Sequence, residues 1–248
     1  MTTTVRGRVR VEHGERRLRG YVRGTPVFDS VRPLLVWESP HYPAYYLPLD
    51  DVREGTLVAT DSTEHSPSRG EADVYSIRVG EHEIPAAARV YPHSPLEEIR
   101  AAVRFDWAAI DSWFEEDEQI FTHPRDPYTR VDILPSSRRV QVEADGVPLA
   151  DSVHARALFE TGLPVRWYLP KVDVRMELLT PTDTSTGCPY KGTAQYWSAR
   201  FGDTVIDDVA WSYPTPLPES ERIAGFVSFY PDKVQVSVDG VPLGRPAP

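Results

Sequence analysis

The chain has 248 residues, a formal net charge of −10 and one cysteine. That length suits one or two domains, and no apolar run approaches the ~20 residues of a membrane helix, so no membrane partner is expected. The acidic balance disfavours nucleic acid as a partner, because neutralising phosphates needs clustered cations.

Seven arginines lie within the first 23 residues and are expected to line a solvated strand face; a basic arm for an anionic partner is the competing reading. The first ten residues carry no apolar stretch and a single cysteine forms no internal disulfide, so a cytoplasmic location is expected. Leu18–Val22 and Val74–Val79 alternate at period two and are read as strands. Asp106 is read as the cap of a helix running to about Gln119, with Trp107, Ile110 and Phe114 on one face and Asp111, Glu115, Glu116, Asp117 and Glu118 on the other. Residues 122–137, which include Pro124, Pro127 and Pro135, are expected to form a stiff linker. Further strands are read at Val140–Ala144, Gln195–Phe201, Ala224–Tyr230 and Val234–Val238, with tight hairpin turns at Asp145-Gly146 and Asp239-Gly240. Arg23-Gly24 takes the equivalent place early in the chain. The final strand pair is expected to cover a sheet edge.

These elements occur twice. Sliding the first half forward by 122 positions, from Arg16 to Arg138, lays Tyr46-Leu47-Pro48 on Tyr168-Leu169-Pro170 and Asp51-Val52-Arg53 on Asp173-Val174-Arg175. Without a gap, Glu38 meets Glu160, Asp61 meets Asp183 and Tyr91-Pro92 meets Tyr213-Pro214. A register of that length implies two copies of one fold. The expected architecture is mainly β: two tandem, related, small antiparallel domains with one connecting α-helix. The first copy with its helix spans 1–121, the linker 122–137 and the second copy 138–248. The copies are expected to pack on one another as an intramolecular pseudo-dimer. Asp61 and Asp183 are read as turn formers, and Arg53 and Arg175 as members of scaffold ion pairs.

The stretch Thr180–Trp197 is the most unusual. A hydroxyl-rich loop leads to Cys188-Pro189-Tyr190-Lys191-Gly192-Thr193-Ala194, and then to Tyr196-Trp197. With Ala210-Trp211-Ser212-Tyr213-Pro214 and Ile223-Ala224-Gly225-Phe226-Val227-Ser228-Phe229-Tyr230, this stretch resembles the family known as domain of unknown function 427. His123-Pro124-Arg125-Asp126-Pro127-Tyr128 is similar to the linker of its tandem members. The resemblance implies a small, mostly antiparallel β domain similar to the β-tent folds, and brings no reaction with it. The family is sometimes labelled nucleotidyltransferase-like. The residues give that label no support, since Asp207-Asp208 lacks a serine-led motif and no convergent carboxylates stand out. The first copy departs from the motif: Ser66-Pro67-Ser68-Arg69-Gly70 stands at 188–192, Val74-Tyr75 at Tyr196-Trp197, and Arg89-Val90 at Trp211-Ser212.

Two functional readings follow, both in the second copy. In the first, a pocket binds a small, anionic or ring-containing ligand. Trp197, Trp211 and Tyr213 form its walls with Tyr190 beside them, Lys191 seeks an anion, and Asp183, Thr184 and Ser185 supply polar contacts. In the second, Cys188 is a nucleophile, Lys191 is the cation that favours its thiolate, and Thr184, Ser185 or Thr186 orients a substrate. Inert roles, a core thiol and a solvated turn lysine, stand against both. A structural or protein-interaction role through the acidic helix is the third reading. No cofactor is indicated. Metal is not expected, because the histidines are scattered at 13, 41, 65, 82, 93, 123 and 154.

Overall fold

A computed structural model describes residues 9–244, so Arg6, Arg8 and the rest of residues 1–8 lie outside the described part. Two compact units divide between Asp126 and Pro127. The first contains β1 (Arg10–His13), β2 (Leu18–Val22), β3 (Thr25–Ser30), β4 (Leu34–Trp37), β5 (Ala44–Pro48), β6 (Leu57–Ser66), β7 (Gly70–Val79), β8 (His82–Val90), β9 (Ala102–Phe105), β10 (Ser112–Glu115) and β11 (Glu118–Ile120). The second contains β12 (Val131–Pro135), β13 (Val140–Ala144), β14 (Val147–Ser152), β15 (Arg156–Glu160), β16 (Arg166–Pro170), β17 (Leu179–Cys188), β18 (Gly192–Phe201), β19 (Thr204–Ser212), β20 (Phe226–Phe229), β21 (Gln235–Val238) and β22 (Val241–Pro242).

Each unit has a seven-stranded and a four-stranded antiparallel sheet, in the same order. The larger sheets run β1-β4-β5-β9-β8-β7-β6 and β12-β15-β16-β20-β19-β18-β17; the smaller run β11-β10-β2-β3 and β22-β21-β13-β14. Register is duplicated along with order. Leu18 faces Ser30 as Val140 faces Ser152, and bulges fall at Ala59/Thr63 and Pro181/Ser185, and again at Tyr75/Ile77 and Trp197/Ala199. The expected turns carry positive φ at Arg23 (49°), Asp145 (48°) and Asp239 (51°), each followed by glycine.

Period-two burial builds the core between the two sheets of each unit. In the second unit Val140, Val142, Val236 and Val238 of the small sheet meet Leu169, Trp197, Val227 and Phe229 of the large one. In the first unit Phe28 of the small sheet stacks on Phe105 of the large one at 5.3 Å, with its ring lying over Gly20 of the neighbouring strand, where a Cβ would be only 2.2 Å away. The opposite face of each large sheet carries its own cluster, around Tyr46 and Tyr91 in the first unit and around Tyr168, Trp211 and Tyr213 in the second.

Four expectations change. No α-helix occurs among the described residues, and the stretch from Asp106 is one 3-10 turn, Trp107–Ala109, followed by the β10–β11 hairpin. Asp106 caps nothing, since its carboxylate takes Arg89 and Arg104 instead. β10 pairs with β2 and turns Trp113 inward to stack on Trp107 at 4.8 Å, so sheet pairing overrides the helical spacing. The linker is shorter than 122–137, because β12 pairs with β15. The Thr/Ser-rich loop is most of β17, paired with β18 on both sides of a bulge. Turn formation near Asp183 belongs to Thr182, whose Oγ1 accepts from the Thr184 amide, as Thr60 does from Ser62.

Four of the five described early arginines are paired with acids, Arg10 with Glu12, Arg16 with Glu115, Arg17 with Asp29 and Arg19 with Asp117, and Arg23 is the exception. The last hairpin extends the small sheet from the edge of β13, as expected.

Candidate functional site

Cys188 ends β17 opposite Gly192, and Pro189, Tyr190 and Lys191 make the hairpin tip between them. Gly192 sits at φ 96°, where a side chain is strained, and a Cβ there would meet Thr215 O at 3.4 Å and Leu217 N at 3.5 Å. The stretch after β19 clamps the tip: Leu217 N donates to Lys191 O at 3.2 Å, and Ser220 Oγ to Tyr190 O at 3.1 Å. Lys191 Nζ donates to Glu160 Oε2 at 2.5 Å, and both side chains are only 10% exposed. The lysine is therefore partnered by a buried carboxylate and not by the thiol. Cys188 itself is half-buried.

Cys188 packs with Tyr168, Tyr196, Trp211, Tyr213 and Tyr230 on the sheet face away from the small sheet. Trp211 Nε1 donates to the Tyr168 hydroxyl at 3.1 Å, and the Trp211 and Tyr230 rings lie 4.3 Å apart. The Tyr196 hydroxyl lies 2.8 Å from Thr186 Oγ1 and 3.3 Å from the Tyr230 hydroxyl. Burial pushes the Tyr168, Tyr213 and Tyr230 phenols well above the ordinary value. Cys188 and Glu160 lie close enough to Tyr168 and Tyr213 to add to that shift. The Arg166 guanidinium stands over Trp211 at 5.6 Å and Tyr230 at 5.9 Å.

Ser228 completes this face. It is the cross-strand neighbour of both Tyr168 and Trp211, so its side chain projects on their side. Its hydroxyl is buried and, among the described residues, has no hydrogen-bond partner. An unmade hydrogen bond of that kind costs about 1–3 kcal/mol.

The residues singled out from sequence divide accordingly. Cys188, Trp211 and Tyr213 share the face; Tyr190 and Lys191 form its rim. Trp197 does not join them. Strand alternation from Gly192 puts Ala194 and Tyr196 on the thiol side and Trp197 in the inter-sheet core, with Lys171 Nζ 5.4 Å from its ring. Asp183, Thr184 and Ser185 are exposed at the bulge, away from the tip. There Thr182 and Thr184 both donate to Asp208 at 2.7 Å, holding its carboxyl below the usual range. Sequence reasoning missed Tyr196, Tyr168, Glu160 and Ser228. The hairpin register would have found Tyr196, and Ser228 is visible as a polar interruption between Phe226 and Tyr230.

The first unit fills the same face with charge. Glu38 takes Arg69 Nη1 at 2.5 Å and the Tyr46 hydroxyl at 2.7 Å, and Arg104 lies 3.2 Å from it. By register Arg89 and Arg104 stand where Trp211 and Ser228 stand. The acid–cation pair is thus common to both units, whereas the thiol, the indole and the orphan hydroxyl belong to the second alone. Among the described residues no three His, Cys, Asp or Glu side chains gather as metal donors, and no helix is long and apolar enough to cross a membrane.

The family described as domain of unknown function (DUF427) matches the chain twice, over residues 10–116 and 132–240. No curated protein matches it.

Proposed function

The chain belongs to that family as a tandem two-copy member, and from this premise we propose that the second unit binds a small, ring-containing or anionic ligand at the Cys188 face. The observation that carries the reading is the buried Ser228 hydroxyl, unpartnered between Tyr168 and Trp211. A ligand that offers it a hydrogen bond and a flat ring to Trp211 and Tyr230 would satisfy that group and gain stacking. Arg166 above those rings supplies a cation for an acidic substituent. Lys191 acts as the anchor of the hairpin tip through Glu160, and the anion-seeking role falls to Arg166. The first unit differs on the matched face, where Glu38 and Asp106 neutralise Arg69, Arg89 and Arg104 and no indole or thiol is offered, although Arg104 Nε is itself buried without a hydrogen bond among the described residues.

The test is a ligand screen by thermal shift on the full chain. A hit should lose its stabilisation in Trp211→Ala and weaken at least fivefold in Ser228→Ala, with one site per chain. Two equivalent sites per chain, or hits indifferent to both substitutions, would refute the reading. The alternative, a thiol-dependent enzyme, draws on Cys188 lying on the same face and half exposed. Alkylation of the folded chain would support it; a thiol that reacts only after unfolding would remove it.

A further inference from the structure

At one end of the first unit three turns meet: Arg23-Gly24 between β2 and β3, residues 53–56, and residues 80–81 between β7 and β8. Backbone bonds hold them together, from Arg53 N to Val27 O and from Arg78 N to Thr56 O, each 2.8 Å. Between them opens a cleft of about 540 Å³, within the size range of small-ligand sites. Arg23, Arg53 and Arg78 line it, against Glu54. Arg78 pairs with Glu83 at 2.9 Å, and the Asp111 carboxylate takes the Arg23 backbone amide at 2.6 Å. Among the described residues the guanidiniums of Arg23 and Arg53 have no carboxylate within 4.0 Å, so the scaffold ion pair expected of Arg53 does not form, whereas Arg175 makes one with Glu177. That sets Arg23 and Arg53 apart from other arginines of the unit: Arg17, Arg32 and Arg89 are each bound to acids.

Of the three arginines only Arg23 is peculiar to this unit, since Arg175 and Arg200 stand at the positions of Arg53 and Arg78. The second unit builds the same end with Asp145 in place of Arg23, and its Arg175 is paired with Glu177 at 2.8 Å. Arg23 also sits at φ 49°, where Asp or Asn is the easier residue, and Asp145 and Asp239 make the same turn at 48° and 51°. We propose that this cleft binds a small phosphorylated ligand through Arg23 and Arg53. Guanidinium forks match phosphate oxygens in pairs, and two unpaired forks in one cleft suit a phosphate group or a diphosphate. A net charge of −10 repels an extended polyanion, so the ligand is small rather than a nucleic acid.

The experiment is calorimetric titration of the full chain, at low salt, with inorganic phosphate, pyrophosphate, a ribonucleoside diphosphate and, in parallel, a single-stranded oligonucleotide. Saturable binding of the small phosphates is expected. Arg53→Glu and Arg23→Asp should each weaken it at least tenfold; the latter keeps a turn residue that Asp145 shows to be compatible. Arg175→Glu, at the position of the second unit that matches Arg53, should leave affinity unchanged. Equal affinity for pyrophosphate and the nucleotide would identify a free phosphate as the ligand, and tighter nucleotide binding an organic ester. No saturable small-phosphate binding, wild-type affinity in both variants, or binding of the oligonucleotide alone would overturn the proposal.

Discussion

Among single residues, Glu160 and Ser228 lie at opposite extremes of polar satisfaction. Glu160 is largely buried beside Tyr168 and meets Lys191 at 2.5 Å. Removing one member of such a pair leaves an uncompensated charge and costs about 3–5 kcal/mol, while replacing both with apolar groups costs far less. Urea unfolding should therefore show Lys191→Met to be strongly destabilising, with Glu160→Leu/Lys191→Met recovering most of the loss. Ser228 behaves in reverse. Its hydroxyl is buried without a partner, so Ser228→Ala should leave the free protein as stable or raise it by up to about 1 kcal/mol. A loss above that would mean that the hydroxyl is bonded after all. Neither residue stands out as a lone letter. Glu160 matches Glu38, which suggests shared scaffolding, and that is half the truth: the acid is shared, but its partner is Arg69 in one unit and Lys191 in the other.

At the level of elements, the bulged hairpin β17–β18 decides where side chains point. The bulge at Trp197/Ala199 matches positive φ at Asp208, as the first unit matches Tyr75/Ile77 with positive φ at Ala86. Since alanine occupies that conformation in one copy, Asp208→Ala should keep the backbone and lose only the two threonine hydrogen bonds, about 1–2 kcal/mol by thermal or urea unfolding. Gly192→Ala should cost a similar amount or more through its φ of 96°, and should loosen the tip that carries Cys188. The strands, the Asp-Gly turns and the doubling were legible in the sequence, because they depend on local chemistry repeated in register. The helix at 106–119 was not. Its apolar spacing fits a helix locally, and the open edge of β2, which claims Trp113, is far away in sequence. Placing Trp197 beside Trp211 failed for a related reason: neighbours in strands face opposite ways, and only the register through Gly192 says which way.

For the whole chain, titration couples the two units to pH from both sides. Asp29, Asp51, Glu64, Asp151 and Asp208 have carboxyls held below their ordinary values, the first, third and fourth chiefly by arginine hydrogen bonds, Asp208 by threonine hydroxyls, and Asp51 by Arg32 and Ser30 against the opposing effect of burial. A depressed folded value adds stability that is present above the unfolded value and lost as pH falls through the folded one. The melting temperature should therefore hold from neutrality to about pH 5 and drop below the ordinary aspartate and glutamate values of 3.8 and 4.5. The tyrosines act in the other direction. Burial raises Tyr46, Tyr168, Tyr213 and Tyr230, so the folded chain keeps them neutral while the unfolded chain ionises them near 10.0. Stability should fall once pH exceeds that value, and Tyr168→Phe should blunt the alkaline loss. A melting profile flat through pH 11 would contradict the burial of these phenols.

The bulges have one more consequence, for life in a crowded solution. β6 and β17 are the outermost strands of their sheets, and each is interrupted after its third paired residue, at Ala59/Thr63 and Pro181/Ser185. A stray polypeptide docking on either rim meets two short, differently twisted docking rails instead of one straight ten-residue track, the second of them capped by a proline. The same kinks that aim the hairpin tips thereby deny fibril growth a template.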